Sequence, residues 1–325
     1  MEEHENHDPF ASWNEVVFYH RSLLADGARN EPFFKALKRT ITSRSRVLDI
    51  GTGSGIWAIV AAKLGARRVT AIEGNLALVP IIRGHLKENG VDDKVELIAG
   101  KSWEIDLKDR FDIIVSETIG NQAFEESIIN TMIDARKRFL ARGGVLIPRV
   151  VTLMAAPCSI PPDGGSLPQM PLNFKYLTDL SRNMTYRLSD RKDFQFLAKP
   201  AELLSVDLTS IKAEPDYAGM SATWNLAELS SANAIVTWAR SSLMKGIKLD
   251  TWNCPSWASV VYPFESIGSG KGKLQFELNL NNKQHHWTVK AHSGGKLISR
   301  SYSPMFGLMK LNFDSQNGSV AAAGK

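Results

Sequence analysis

Cysteine is nearly absent from this sequence, with only Cys158 and Cys254 in 325 residues. Neither has a companion at metal-ligand spacing, which excludes a zinc module or a disulfide framework and predicts no bound metal. Long apolar runs are also missing, and nothing approaches the roughly 20 residues that a membrane helix needs. Residues 1–9 are rich in Glu, His and Asp and lack the basic-then-apolar layout of a signal peptide, so a cytoplasmic location is expected. The net charge is +5 and the pI near 9.1, but no basic run reaches five residues, so no nucleic-acid partner is expected. Internal repeats are lacking too, which excludes a solenoid.

A chain of 325 residues exceeds the ~250–300 at which a single core stops growing, so two domains are expected. Between 46 and 148, short β-branched runs alternate with helical patterns, as in βα units feeding a parallel sheet. Strands are predicted over 46–50, 68–73, 94–99, 111–116 and 144–148, and helices over 56–64, 76–88 and 125–140. Gly65, Gly90 and Gly143 stand where those helices should stop. An amphipathic segment over 13–38 makes residues 1–45 a helical cap over the crevice. After Pro148 the texture turns to Pro, Gly, Ser and short alternating runs, predicting a mainly β domain over 149–316. Residues 174–201 read as a polar, partly helical insertion, and 317–325 as a flexible tail.

The first strand runs through Asp49 into Gly51, Gly53 and Gly55 and then directly into a helix. Such glycines allow a tight turn and close approach of a ligand. A dinucleotide fingerprint would place its third glycine at position 56, where Ile56 stands, so a pyrophosphate is disfavoured. Asp49 puts a carboxylate beside the loop, which suits a cationic, amino-acid-bearing ligand better than phosphate. Glu73 ends the second strand, where an acid can accept both ribose hydroxyls of an adenosine. The turn after the third strand, with Ser102 and Trp103, borders the same crevice, because ligands of open α/β sheets bind outside the carboxyl ends of the strands.

The fourth strand leads to Glu117, and a second acid, Glu126, follows nine residues later. Two such carboxylates can grip a planar cation, the geometry a guanidinium matches best. The stretch Ser116-Glu117-Thr118-Ile119-Gly120, continuing to Phe124-Glu125-Glu126-Ser127, resembles the double-glutamate loop of the protein arginine methyltransferases. His20 through Arg29 is similar to that family's helix before the first strand, and Leu140 through Pro148 to the stretch joining its two domains.

The resemblance implies a doubly wound, Rossmann-like α/β domain over 46–148 that binds S-adenosyl-L-methionine, followed by a β-barrel-like domain. It implies that His20 and Arg29 contact the cofactor, Arg29 at its carboxylate, and that Glu117, Glu126 and Trp257 hold the acceptor. It also implies a homodimer made through a helical arm, for which 174–201 is the candidate. Three positions depart from the family. Pro255-Ser256-Trp257 stands where the family has Thr-His-Trp, leaving Asp26 without its histidine; Phe10 and Asn14 stand near its two N-terminal tyrosines; and Trp103 stands where a glutamate often meets the adenine amino group.

The expected activity is methylation of a guanidino nitrogen, on protein arginine, free arginine or a small guanidine metabolite. The competing expectations are a biosynthetic methyltransferase with a non-guanidine acceptor and an inactive methyltransferase-fold scaffold. A scaffold, however, has no physical need for two carboxylates facing one crevice.

Overall fold

The computed structural model describes residues 9–160, 177, 180–191, 194–268, 270–281, 284–293 and 296–303. The chain forms two compact units. The first comprises the described residues up to Val151 together with Val206–Glu214 and Ala239–Trp257; the second comprises the rest.

The first unit opens with α1 (Pro9–Ala25) and α2 (Gly27–Thr40), then alternates β1 (Arg46–Ile50), α3 (Ile56–Lys63), β2 (Arg68–Glu73), α4 (Val79–Glu88), β3 (Val95–Ala99), β4 (Phe111–Val115), α5 (Ile128–Arg138) and β5 (Leu140–Ile147). The five strands are parallel in the order β3-β2-β1-β4-β5. Val47, Leu48, Ile50, Ala71, Ile72, Ile113 and Ile114 are buried, as expected of parallel strands covered on both faces. Connections from β1 run to β2 on one side and lead later to β4 on the other, so the order reverses beside β1 and opens a crevice at the strands' carboxyl ends.

Three elements differ from expectation for local reasons. The helix predicted from 76 starts as a 3-10 turn over Leu76–Leu78, capped by the Asn75 side chain, before α4 begins with Pro80 in its first turn. The helix predicted from 125 starts only at Ile128, because Gly120 bridges back to Ala123 and Ser127 adopts φ 60°. Gly143 does not stop a helix: its φ of 76° lies within β5, where the pairing with β4 slips.

Two later segments join this unit. The Arg136 guanidinium of α5 donates to the carbonyls of Leu208 and Ile211, and Ser241 Oγ donates to Val150 O at 2.8 Å.

Beyond β5 the strands are β6 (Val150–Cys158), β7 (Tyr186–Leu188), β8 (Ala201–Asp207), β9 (Met220–Asn225), β10 (Ala234–Met244), β11 (Ile247–Asp250), β12 (Ser259–Pro263), β13 (Gly272–Asn281), β14 (Gln284–Ser293) and β15 (Lys296–Tyr302). They form one sheet of order β7-β12-β10-β6-β8, with β11 on β10, and another of order β15-β14-β13-β9. The pairings of β10 with β11 and β12, of β12 with β7, and throughout the second of these sheets are antiparallel. Trp238, Tyr262, Phe276 and Trp287 fill the second unit's core, with the Trp287 indole N–H donating to Pro263 O at 2.8 Å. Within the candidate arm, residues 186–188 are a strand paired with β12, while 174–176, 178–179 and 192–193 lie outside the described residues, as does the 317–325 tail. Among the described residues no helix is long and apolar enough to cross a membrane.

Candidate active site

The loop after β1 is stitched to β2 by Gly51 N and Thr52 N, which donate to Ile72 O at 2.9 and 3.1 Å. Gly51 and Gly53 have φ of 69° and 58°, a region that favours glycine. Space demands glycine as well: a Cβ on Gly51 would lie 2.9 Å from the Thr118 methyl, and one on Gly53 3.1 Å from the His20 ring. This close packing puts His20, Thr118 and the loop around one pocket of about 260 Å³.

His20, Arg29, Gly51, Gly53, Glu73, Glu117, Glu126 and Trp257 all line that pocket. Glu73 is held by its neighbours: Oε2 accepts from Gly53 N at 2.8 Å and Oε1 from Asn75 N at 2.7 Å. Each of these oxygens keeps a lone pair for a hydroxyl in the pocket. The ring of His20 is held neutral near pH 7, since burial, then Arg29 and His85, lower its pKa.

Four expected residues are not on the pocket wall. Asp49 is fully buried behind the loop, where Oδ2 accepts from Thr52 Oγ1 at 2.5 Å and from Ala58 N at 3.0 Å. Burial pushes its pKa up to about 7, so this carboxyl braces the loop against α3 instead of presenting a charge to a ligand. Gly55 caps α3 and packs against Ile82. Ser102 is buried and its carbonyl accepts from Arg138 at 2.7 Å, while Trp103 is 58% exposed beneath the Lys101 ammonium. Ser102 and Trp103 thus face α5 and solvent, while the β3 tip itself joins Glu73 through Gly100 N, which donates to Glu73 O at 2.8 Å.

On the other side of the pocket, Arg29 and Glu117 form a buried ion pair. Asp26 caps α2 by accepting from Arg29 N at 3.0 Å, and this fixes where the Arg29 side chain departs. The guanidinium also donates to Asn30 Oδ1 at 2.8 Å, but among the described residues its Nε has no partner. Burial raises the Glu117 pKa despite the opposing effect of Arg29. Glu126 reaches the open part of the pocket; the surrounding protein, then Glu117 and Glu125, push its pKa up to about 7. The loop that carries both acids is strained, with Ala123 and Ser127 in the left-handed region at a cost of about 1–3 kcal/mol each.

Sequence reasoning missed Tyr19, Leu23, Trp57, Asn75, Leu78 and Ser256, which also line the pocket. Tyr19 and Leu23 lie one helical turn apart beside His20, a spacing that would have flagged them. Ser256 donates to Asp26 Oδ2 through both N (3.0 Å) and Oγ (2.6 Å), taking up the carboxylate left without a histidine. Trp257 then donates its indole N–H to Ile119 O at 2.7 Å and lies 5.6 Å from the Arg29 guanidinium.

This arrangement can hold a carboxylate at Arg29, a diol at Glu73 and a cation at Glu117 and Glu126. Residues 33–149 match the family described as ribosomal protein L11 methyltransferase (PrmA). The probable protein arginine N-methyltransferase 6 of Arabidopsis thaliana is 33% identical over 147 residues, 45% of this chain and 34% of that protein. Protein arginine N-methyltransferase PRMT10 of the same plant is 35% identical over 144 residues, 43% and 37% of the two chains. The chain thus matches little more than a third of the length of these relatives. The Trypanosoma brucei PRMT1 enzyme-prozyme heterotetrameric complex with AdoHcy superposes with a TM-score of 0.72 at 21% identity, covering 89% of this chain and 99% of that one, a likeness of fold. The first half of the chain is thus similar in sequence to protein arginine N-methyltransferases, double-glutamate loop included, and the structural likeness is one of fold.

Proposed function

We propose that the chain methylates a guanidino nitrogen of arginine at the expense of S-adenosyl-L-methionine. The observation that carries this reading is a pair of acids, Glu117 and Glu126, sharing one pocket with an arginine that has an unused N–H. The rest of the pocket fits the cofactor: Arg29 Nε, unpartnered among the described residues, suits its carboxylate, Glu73 its ribose, and the bare Gly51–Gly53 backbone leaves room for close approach.

When bound, the cofactor supplies an electrophilic methyl group on a sulfonium. The chain's residues must align the acceptor and reshape its charge, because a guanidinium is protonated and its lone pairs are delocalised. Glu117 and Glu126 bind the nitrogens that do not react and draw positive charge toward them, leaving the third more nucleophilic. Holding that nitrogen in line for transfer would supply much of the rate. Glu126, with its pKa near 7, accepts the proton lost after transfer.

The relatives are named protein arginine methyltransferases, which favours arginine on a protein. The basic net charge of +5 favours a second acceptor, free arginine or a small guanidine, because long Gly-Arg-rich protein substrates are strongly cationic and gain most from an acidic surface that steers them in. Incubation with labelled cofactor and a panel of free arginine, arginine peptides and bulk protein tests both. Label found only on lysine, carboxylate or oxygen would overturn the guanidine reading.

A helical cap over 1–45, a cofactor domain over 46–148, a substrate domain over 149–316 and a cytoplasmic homodimer complete this proposal. An apolar groove between α2 and α3, where Leu24 and Phe34 remain 43% and 41% exposed, supports the dimer. Sedimentation of Phe34→Glu, expected to be monomeric, tests it.

A further inference from the structure

At the opposite end of the parallel sheet, where β1 and β2 begin, Arg44, Arg46, Arg67 and Arg68 surround one depression together with Asp109 and Asp112. The five residues of β1 separate it from the glycine loop by roughly 16 Å at the usual rise per residue.

The four arginines fall into two kinds. Arg46 is pinned: its backbone N–H donates to Asp112 Oδ2 at 2.9 Å, and its guanidinium reaches both Asp112 oxygens at 3.3 Å. Arg68 is pinned too, between Asp109 at 2.6 Å and Glu96 at 2.8 Å. Arg44 and Arg67, by contrast, are exposed, and among the described residues their side chains have no partner. The two segments are tied together by Arg67 N, which donates to Ser45 O at 2.8 Å.

On an ordinary solvated face, like charges splay apart; here backbone pairing and carboxylate anchors hold four of them at one concavity. The carboxylates orient two guanidinium forks, and the two free forks outnumber any local acid left to meet them. A guanidinium fork matches a tetrahedral oxyanion through paired hydrogen bonds. We propose that this depression binds the phosphate groups of a small ligand, with Arg44 and Arg67 as the recruiting residues and Arg46 and Arg68 as the fixed wall. The site is independent of the methyl-transfer pocket.

Isothermal titration of the full chain with inorganic pyrophosphate, at an ionic strength of about 0.15 M, tests the proposal. Saturable binding is expected, weakened about tenfold or more in the Arg44→Ala/Arg67→Ala double variant, one charge-assisted contact being worth that much. The variant's melting temperature should match the parent's, since neither side chain has a partner to lose among the described residues. No binding by the parent, equal binding by the variant, or displacement of pyrophosphate by S-adenosylhomocysteine would each overturn it. So would binding of an oligoribonucleotide without binding of pyrophosphate, which would make the surface a nucleic-acid one.

Discussion

The two ends of the pocket are built on opposite principles. The end at β1 and β2 is satisfied before any ligand arrives: Glu73 has both oxygens engaged by backbone N–H groups, and the glycine loop is stitched to Ile72. The end at Glu117 and Glu126 is loaded: two acids with raised pKa values stand on a loop with two left-handed residues, and among the described residues the Glu126 carboxyl accepts no hydrogen bond. A preformed end favours tight, uniform binding; at the loaded end Arg29 answers Glu117 alone, and the open Glu126 carboxyl is relieved by a second cation, the species whose chemistry must be promoted.

The sharpest way to break this comparison is to remove the load. Glu117→Gln or Glu126→Gln is expected to lower methyl transfer by about 10²–10³-fold, the usual scale for one preorganised electrostatic contact, with cofactor affinity nearly intact. Single-turnover assays beside calorimetry with S-adenosylhomocysteine separate the two; full turnover by both variants would refute the acceptor assignment.

Removing the groups that face the cofactor should do the reverse. Glu73→Ala or Arg29→Ala is expected to weaken cofactor binding by roughly 10–100-fold, since each removes hydrogen bonds to a charged group. Unchanged affinity would show that ribose or carboxylate lies elsewhere. Gly53→Ala belongs with them, because its methyl would press on the His20 ring.

A smaller effect concerns pH. If ionised Glu126 takes the product's proton, kcat should fall about tenfold per pH unit below about 7, and Glu126→Gln should remove that limb. A parent profile flat from pH 5.5 to 8, in a range this acid should dominate, would exclude it as the acceptor.

The smallest effect is on stability. Asp49 titrates near 3.8 when unconstrained and near 7 in the folded chain. Between those values the folded state holds more protons than the unfolded, so this group's contribution to stability is greatest at low pH and is lost as pH rises through 7. Asp49→Asn should flatten that decline in melting temperature while leaving cofactor binding within a few-fold. A large loss of binding would return Asp49 to the pocket wall.

The parallel sheet was legible because 46–50, 68–73 and 111–116 are short, β-branched and largely apolar segments that alternate with helical patterns, as strands buried on both faces require. The strand tips followed from the fold, which is why Glu73 and Glu117 could be named from the sequence; Glu126 was named from its spacing to Glu117 and from the family resemblance. What spacing does not carry is direction: Asp49 and Ser102 sit at the right heights, but their side chains face α3 and the protein interior. Nor does sequence reveal long-range neighbours; Ser256 and Trp257 reach this pocket across more than a hundred residues, and only the family resemblance drew attention to Trp257. The start of α5 was missed because Ser127 carries a backbone angle that composition does not announce.

The Asp26 carboxylate ties together two stretches 230 residues apart, one oxygen on the first turn of α2 and the other on Ser256. During synthesis, then, both glutamates and the glycine loop leave the ribosome long before the wall that closes over Arg29. A fragment ending before residue 250 keeps every acid named above yet lacks the indole and the serine, so a nascent chain has the reagents of the site well before it has its enclosure.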